Sequence, residues 1–148
     1  MPRLAASLWI DAEPERVFCI CQAPPVALLP LGGPRLIVLD RPGAVGSRYR
    51  WEFWRAGLHG RLDSVVTESE AGRRLAFRGE SGWEMEADLT LVPEKGGTRL
   101  LFRMQYRFRF PFRWLLPGAL IRLGVWHALQ QVKAVAERPE PSGALTSP

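Results

Sequence analysis

Cysteine is scarce. The chain holds two, Cys19 and Cys21, too few and too close together for a disulfide framework, and that favours a reducing compartment. Two residues apart on a helix they point to nearly opposite sides, and no second Cys or His pair completes a tetrahedral set, so they read as buried structural thiols and no metal is expected. Long apolar runs are missing as well. No stretch reaches the roughly 18 residues that cross a bilayer as a helix, and Asp11, Glu13 and Glu15 interrupt the N-terminus before a secretory signal could form. The expected location is the cytoplasm. There is no glycine-rich phosphate loop, no G-x-S-x-G elbow and no H-E-x-x-H pair, and no cofactor is expected. Lysine is nearly absent too: of 20 basic residues only Lys95 and Lys133 are Lys. Arginine stacks on aromatic rings and grips carboxylates with two parallel bonds, so the formal charge of +5 leaves an anionic partner or surface open.

What is present fits one domain. A chain of 148 residues can bury roughly 70% of its unfolded surface, and 47% apolar with 24% charged residues is a globular composition. The longest element predicted is a helix over 117–137. Ile121, Val125, Leu129, Val132 and Ala136 recur at spacings of three and four and draw one apolar stripe down it. Pro117 suits its first turn, and Pro139 and Pro141 stop it. Residues 138–148, rich in Pro, Ser and Gly, read as a disordered tail beyond a domain of residues 1–137.

The remainder alternates. Residues 3–10 read as a first strand and 14–22 as a short helix that starts at Pro14 with acids in its first turn. Val26 to Leu31 offers one more helical turn. Strands follow at 35–39, from Gly46 to a turn at Gly57, from Leu58 to a turn at Ala71-Gly72-Arg73, and around Leu75 and Phe77. The last pair is the clearest hairpin: Trp83, Met85, Ala87, Leu89 and Leu91 alternate with Glu84, Glu86, Asp88 and Thr90. After a turn over Pro93 to Gly97, Leu100, Phe102, Met104, Tyr106 and Phe108 do the same. Glu84, Glu86 and Asp88 on its polar face, beside Arg103 and Arg107, read as a solvated charge ladder. The fold class is therefore α+β, with about seven antiparallel strands, one or two short helices after the first strand, and a single long helix to cover one aromatic face. One helix cannot fill that face, and a cavity lined by side chains is the expected remainder.

Several segments then match a known pattern. Ile10-Asp11-Ala12-Glu13-Pro14-Glu15-Arg16-Val17-Phe18, Gly43-Ala44-Val45-Gly46-Ser47-Arg48, Val66-Thr67-Glu68, Gly96-Gly97-Thr98-Arg99-Leu100 and the stretch Trp126 to Lys133 resemble the polyketide cyclase/dehydrase branch of the START-like, or Bet v 1-like (SRPBCC), superfamily. The match covers residues 3–137 and departs from the usual pattern around Ala23 to Pro34. It implies a helix-grip fold, in which a curved antiparallel sheet wraps around the C-terminal helix. It also implies that the cavity between them holds a small hydrophobic molecule such as a lipid, polyketide or quinone. No universal catalytic residue carries over, so whether a reaction occurs stays open.

On that resemblance the aromatic and thioether face becomes the candidate ligand-binding site. Its sheet residues are Tyr49, Trp51, Phe53, Phe77 and Trp83, with Met85, Phe102, Met104 and Tyr106. Val125 and Leu129 face them from the helix. His127, one residue past Trp126 and read near the edge of the stripe, and Arg122 are candidate polar groups there. A cyclase or dehydratase using His127, Tyr49 or Tyr106 as proton carrier is the enzymatic alternative. Residues 106–116 interleave Arg with aromatics between the last strand and the helix. They suit a loop capping the cavity, and also peripheral contact with an anionic membrane; no nucleic-acid partner is expected.

Overall fold

The computed structural model describes residues 3–22, 35–38, 40–55, 57–108 and 118–138. In chain order they form β1 (Arg3–Ile10), α1 (Pro14–Gln22), β2 (Arg35–Val38), β3 (Arg48–Arg55), β4 (Leu58–Glu70), β5 (Arg74–Ser81), β6 (Trp83–Glu94), β7 (Gly97–Phe108) and α2 (Gly118–Glu137). The seven strands make one antiparallel sheet in the order β1-β7-β6-β5-β4-β3-β2. Six of the strands run eight residues or more and β2 only four. The sheet is unclosed, with β1 and β2 at its two edges. This is the expected α+β helix-grip arrangement. The expected helical turn at 26–31, Pro117, the strand end at Leu39, residues 109–116 and residues 139–148 lie outside the described residues.

Local chemistry accounts for the joints. Between β6 and β7 the two loop residues both have left-handed backbones, Lys95 at φ 50° and Gly96 at φ 77°, the conformation whose twist matches that of a hairpin's strands. The turn is thus Lys95-Gly96 alone, while Pro93 and Glu94 still pair with Thr98 and Gly97 inside the ladder. β4 breaks the alternation read for it. Register shifts between Asp63 and Ser64 and between Val66 and Glu68 let Ser64, Val65 and Val66 be buried in succession, as bulges bend and re-aim a strand. β5 is a full strand of eight residues rather than a short one.

The main core lies where α1 and the second half of α2 meet the sheet. Leu8, Ile10, Val17, Phe18, Cys21, Leu75, Leu89, Leu91 and Leu100 are buried together there with Leu129, Val132 and Ala136. Polar groups lock this end of α2. Arg16 of α1 donates from Nε to the carbonyl of Ala136 (2.8 Å) and from Nη2 to those of Arg138 (3.1 Å) and Val135 (3.4 Å). A helix terminus leaves its last carbonyls without partners, and a cation there also opposes the negative end of the helix dipole. Lys133 Nζ donates to the carbonyl of Trp9 (2.9 Å) and to Glu137 (2.6 Å), which also accepts from the N–H of Asp11 (2.9 Å). Those bonds, first from Lys133 and then from Asp11, hold the Glu137 carboxyl below its usual range.

Arg16→Ala is expected to cost about 1 to 3 kcal/mol of unfolding free energy, because it strips a charged donor from three carbonyls at once; urea denaturation measures it. Arg16→Lys should recover part of the loss. Arg138 joins this contact through its carbonyl. Removing 139–148 is expected to shift the thermal midpoint by no more than about 2 °C.

Candidate functional site

A second cluster lies under the first half of α2. Leu62, Trp83, Met85, Ala87, Met104, Tyr106 and Phe108 are buried in it, and Leu4, Trp51, Phe77, Phe102, Ile121 and Val125 pack against it only partly buried. The ladder builds it directly. Trp83 stands opposite Phe108, Met85 opposite Tyr106 and Ala87 opposite Met104 across β6 and β7, while Trp51 meets Leu62 across β3 and β4. The Trp83 and Phe108 rings stack at 5.8 Å with 7° between planes, and Tyr106 tilts against Phe108 at 5.2 Å. Trp83 is fixed further by its indole N–H, which donates to the carbonyl of Asp63 at 2.9 Å.

Phe77, Phe102 and Val125 pack against both clusters. Residues placed between two packed groups are ordinarily the most enclosed of all. These three are less enclosed than either cluster, and so is Trp51 beside them. Two features bear on that middle. Ala87 is the smallest side chain in its row, set between Met104 on one strand and Phe77 on the other. Among the described residues, the elements that α2 lies against most extensively are α1 and β1, the latter at the sheet edge.

The predicted site residues divide. Trp83, Met85, Met104 and Tyr106 come together in the second cluster, with Trp51, Phe77, Phe102 and Val125 around them. Leu129 belongs to the main core. Tyr49 does too, edge-on to Phe77 at 5.4 Å. Its hydroxyl accepts from the N–H of Gly43 (2.8 Å) and donates to the carbonyl of Gln22. Burial raises its pKa, with the Gly43 bond opposing. That hydroxyl ties the end of α1 to the turn before β3. The side chain of Phe53 lies outside the described residues. Arg122 is exposed. His127 is partly buried, and its Nε2 is enclosed with no hydrogen-bond partner. At about 100° per residue it falls about 160° round from the stripe, on the outward side of α2 beside Leu123 rather than at the stripe's edge. The Tyr106 hydroxyl lies 3.5 Å from where a Cβ would stand on Gly118, which brings the end of β7 to the start of α2.

Leu62, Phe108, Ala87 and Ile121 belong to the same cluster and were absent from the candidate set. The period-two alternation and the helical stripe already carried their signal. Outside, the charge ladder keeps one expected pair, Glu84 with Arg107 at 4.0 Å, while Glu86 accepts from Gln105 at 2.9 Å and Asp88 turns to Arg74 at 3.6 Å. Among the described residues no group of three His, Cys, Asp or Glu could hold a metal ion.

The model of a family described as polyketide cyclase / dehydrase and lipid transport matches residues 1–137. Among curated proteins none matches by sequence. Solved structures do. The protein CV1439 of Chromobacterium violaceum superposes with a TM-score of 0.73 at 24% identity, covering 94% of this chain and 100% of its own. TTHA0849 of Thermus thermophilus gives 0.70 at 23%, covering 99% and 100%, and Ara h 8.0201 gives 0.63 at 9%, covering 91% and 97%. At such identities the likeness is one of fold.

One candidate pair changes its reading. Cys19 is exposed and only Cys21 is buried, because two positions on a helix face apart. Burial pushes the Cys21 thiol up to about 12, so it stays protonated far above neutrality. A disulfide reagent such as DTNB at pH 8 is expected to modify Cys19 alone in the folded protein, and Cys21 only after denaturation.

Proposed function

Because the chain belongs to the polyketide cyclase/dehydrase and lipid transport family, we propose that it binds or transports a small hydrophobic molecule, lipid-, polyketide- or quinone-like, between its sheet and α2. What supports this most is the half-open state of Trp51, Phe77, Phe102 and Val125 between two packed clusters. Apolar side chains left partly accessible between packed groups are the wall a hydrophobic ligand needs. The proposed wall keeps the other candidates, Phe53, Trp83, Met85, Met104 and Tyr106, with Tyr49 and Leu129 as its supports and Arg122 as its polar group, while His127, on the outward side of α2, falls outside it. The domain is taken as residues 1–137. No described helix is long and apolar enough to cross a membrane, and we place the protein in the cytoplasm.

The second reading is a cyclase or dehydratase on a polyketide-like substrate. It has the weaker support: His127, its candidate proton carrier, has an enclosed Nε2 without a hydrogen-bond partner but stands on the side of α2 away from the cluster. Tyr49 is the weaker carrier, its hydroxyl being already engaged on both sides. Peripheral membrane contact through 106–116 is narrowed by the burial of Tyr106 and Phe108, which leaves Arg107 as the outward side chain of residues 106–108.

A cavity wall and a closed core respond oppositely to truncation. Leu129→Ala is expected to cost about 2 to 5 kcal/mol, and Phe102→Ala and Trp51→Ala distinctly less, since trimming a wall enlarges a space already there. Both truncations should change the affinity for a fluorescent apolar probe, and Trp51 emission should respond when the probe enters. If they cost as much as Leu129→Ala and the wild type binds no probe at micromolar concentration, the face is ordinary core and the reading fails.

A further inference from the structure

The outward side of α2 is not uniform. At about 100° per residue, Ala119, Leu123 and Trp126 fall on one side of the helix, well away from the stripe of Val125, Leu129 and Val132. All three are exposed, Leu123 at 58% and Trp126 at 47% of full accessibility. Further along, the same side carries Gln130, Ala134 and Glu137. One exposed apolar residue is ordinary. Here two large ones stand three residues apart, which on a helix makes them neighbours.

Charge along α2 itself has one sign up to its last residue. α2 holds Arg122 and Lys133 and no acidic residue before Glu137, and Lys133 is already paired with Glu137. Arg122 is exposed and adjoins Leu123 in sequence. The helix N-terminus adds its partial positive charge at the same end.

We propose that this face, Leu123 and Trp126 with Arg122 beside them, docks on anionic lipid bilayers. A tryptophan ring is apolar in body with one polar N–H, which suits the headgroup boundary; an arginine next to it meets phosphate. A bilayer accepts a pair of side chains without a complementary surface, whereas a stable protein interface needs about 800 Å² from each partner, far more than two side chains offer. The docking itself stands apart from the ligand reading. Its purpose rests on that reading, because Ile121 and Val125 of the same helical turns pack against the half-open cluster on the inner side. Cargo would then pass at the end of α2 that touches lipid.

The test is co-sedimentation of the full chain with vesicles of phosphatidylcholine, alone or mixed with phosphatidylglycerol. The wild type is expected to bind the mixed vesicles, less so as salt rises. Leu123→Ser with Trp126→Ser should weaken that binding at least about tenfold, and Arg122→Glu should weaken it too. Leu123 and Trp126 are exposed and lie outside the proposed wall, so thermal unfolding and apolar-probe binding of the double variant should match the wild type. That control separates failure of docking from failure of the ligand site. With Trp126→Phe as the blank, Trp126 emission should shift to the blue and be quenched by brominated acyl chains. Binding unchanged in the double variant, equal binding to neutral vesicles, or no binding by the wild type would each overturn the proposal. Concentration-dependent self-association lost in the double variant, without vesicle binding, would instead make the face a contact between copies of this chain.

Discussion

Three backbone carbonyls at the C-terminus of α2 end on a single guanidinium, that of Arg16. A helix laid over an open sheet could slide along its axis or roll about it, since apolar contacts are adaptable and carry little direction. The Arg16 bonds have direction. They set α2 against α1, and the Lys133 and Glu137 bonds to the backbone of Trp9 and Asp11 set it against the end of β1. With that end fixed, Leu129, Val132 and Ala136 can meet Leu8, Ile10 and Val17 in a closed core. The other end has to be held differently.

Under the first half of α2 the described contacts are apolar: Ile121 and Val125 against a cluster of rings and thioethers. Ring stacking and the Trp83 bond to Asp63 keep the floor of that cluster rigid. The bulges in β4 bend the sheet beneath it, and bending lifts the ends of strands away from a straight helix. Packing therefore grades from closed at the Arg16 end to half-open at Phe77, Phe102 and Trp51. A rigid floor and a roof fixed at one end thus frame side chains that are only partly buried, Phe77, Phe102, Trp51 and Val125.

Much of this was legible because it is local. Pro14 starts α1, the alternation along β6 and β7 sorts inside from outside, and the stripe of α2 names its buried face. Even the Arg/aromatic alternation of 106–108 is the same pattern: Tyr106 and Phe108 turn inward and Arg107 outward. The rest depends on partners far off in sequence. Arg16 reaches carbonyls some 120 positions away, and nothing near Arg16 signals this. Bulges are decided by the neighbouring strand, so Val65 could not be read as buried. The exposure of Cys19 follows from where α2 lies, which α1 alone cannot state. Tyr49 alternated as a wall residue should, but its hydroxyl was already claimed by Gly43 and Gln22.

The two halves of α2 thus differ on both faces at once. In the second half the inner face is sealed and the outer face polar. In the first, the inner face borders the half-open cluster and the outer face shows Leu123 and Trp126. A molecule that avoids water has to leave through whatever part of its carrier can yield, and it is lost to solvent unless that part already touches an apolar phase. Yielding is cheapest where contacts lack direction, and among the described residues the directional bonds of α2 gather at its far end. Lipid contact is cheapest where apolar side chains already stand in water. In this chain both conditions are met by the same few turns of one helix, so an apolar cargo and a bilayer would be served by a single end of the fold.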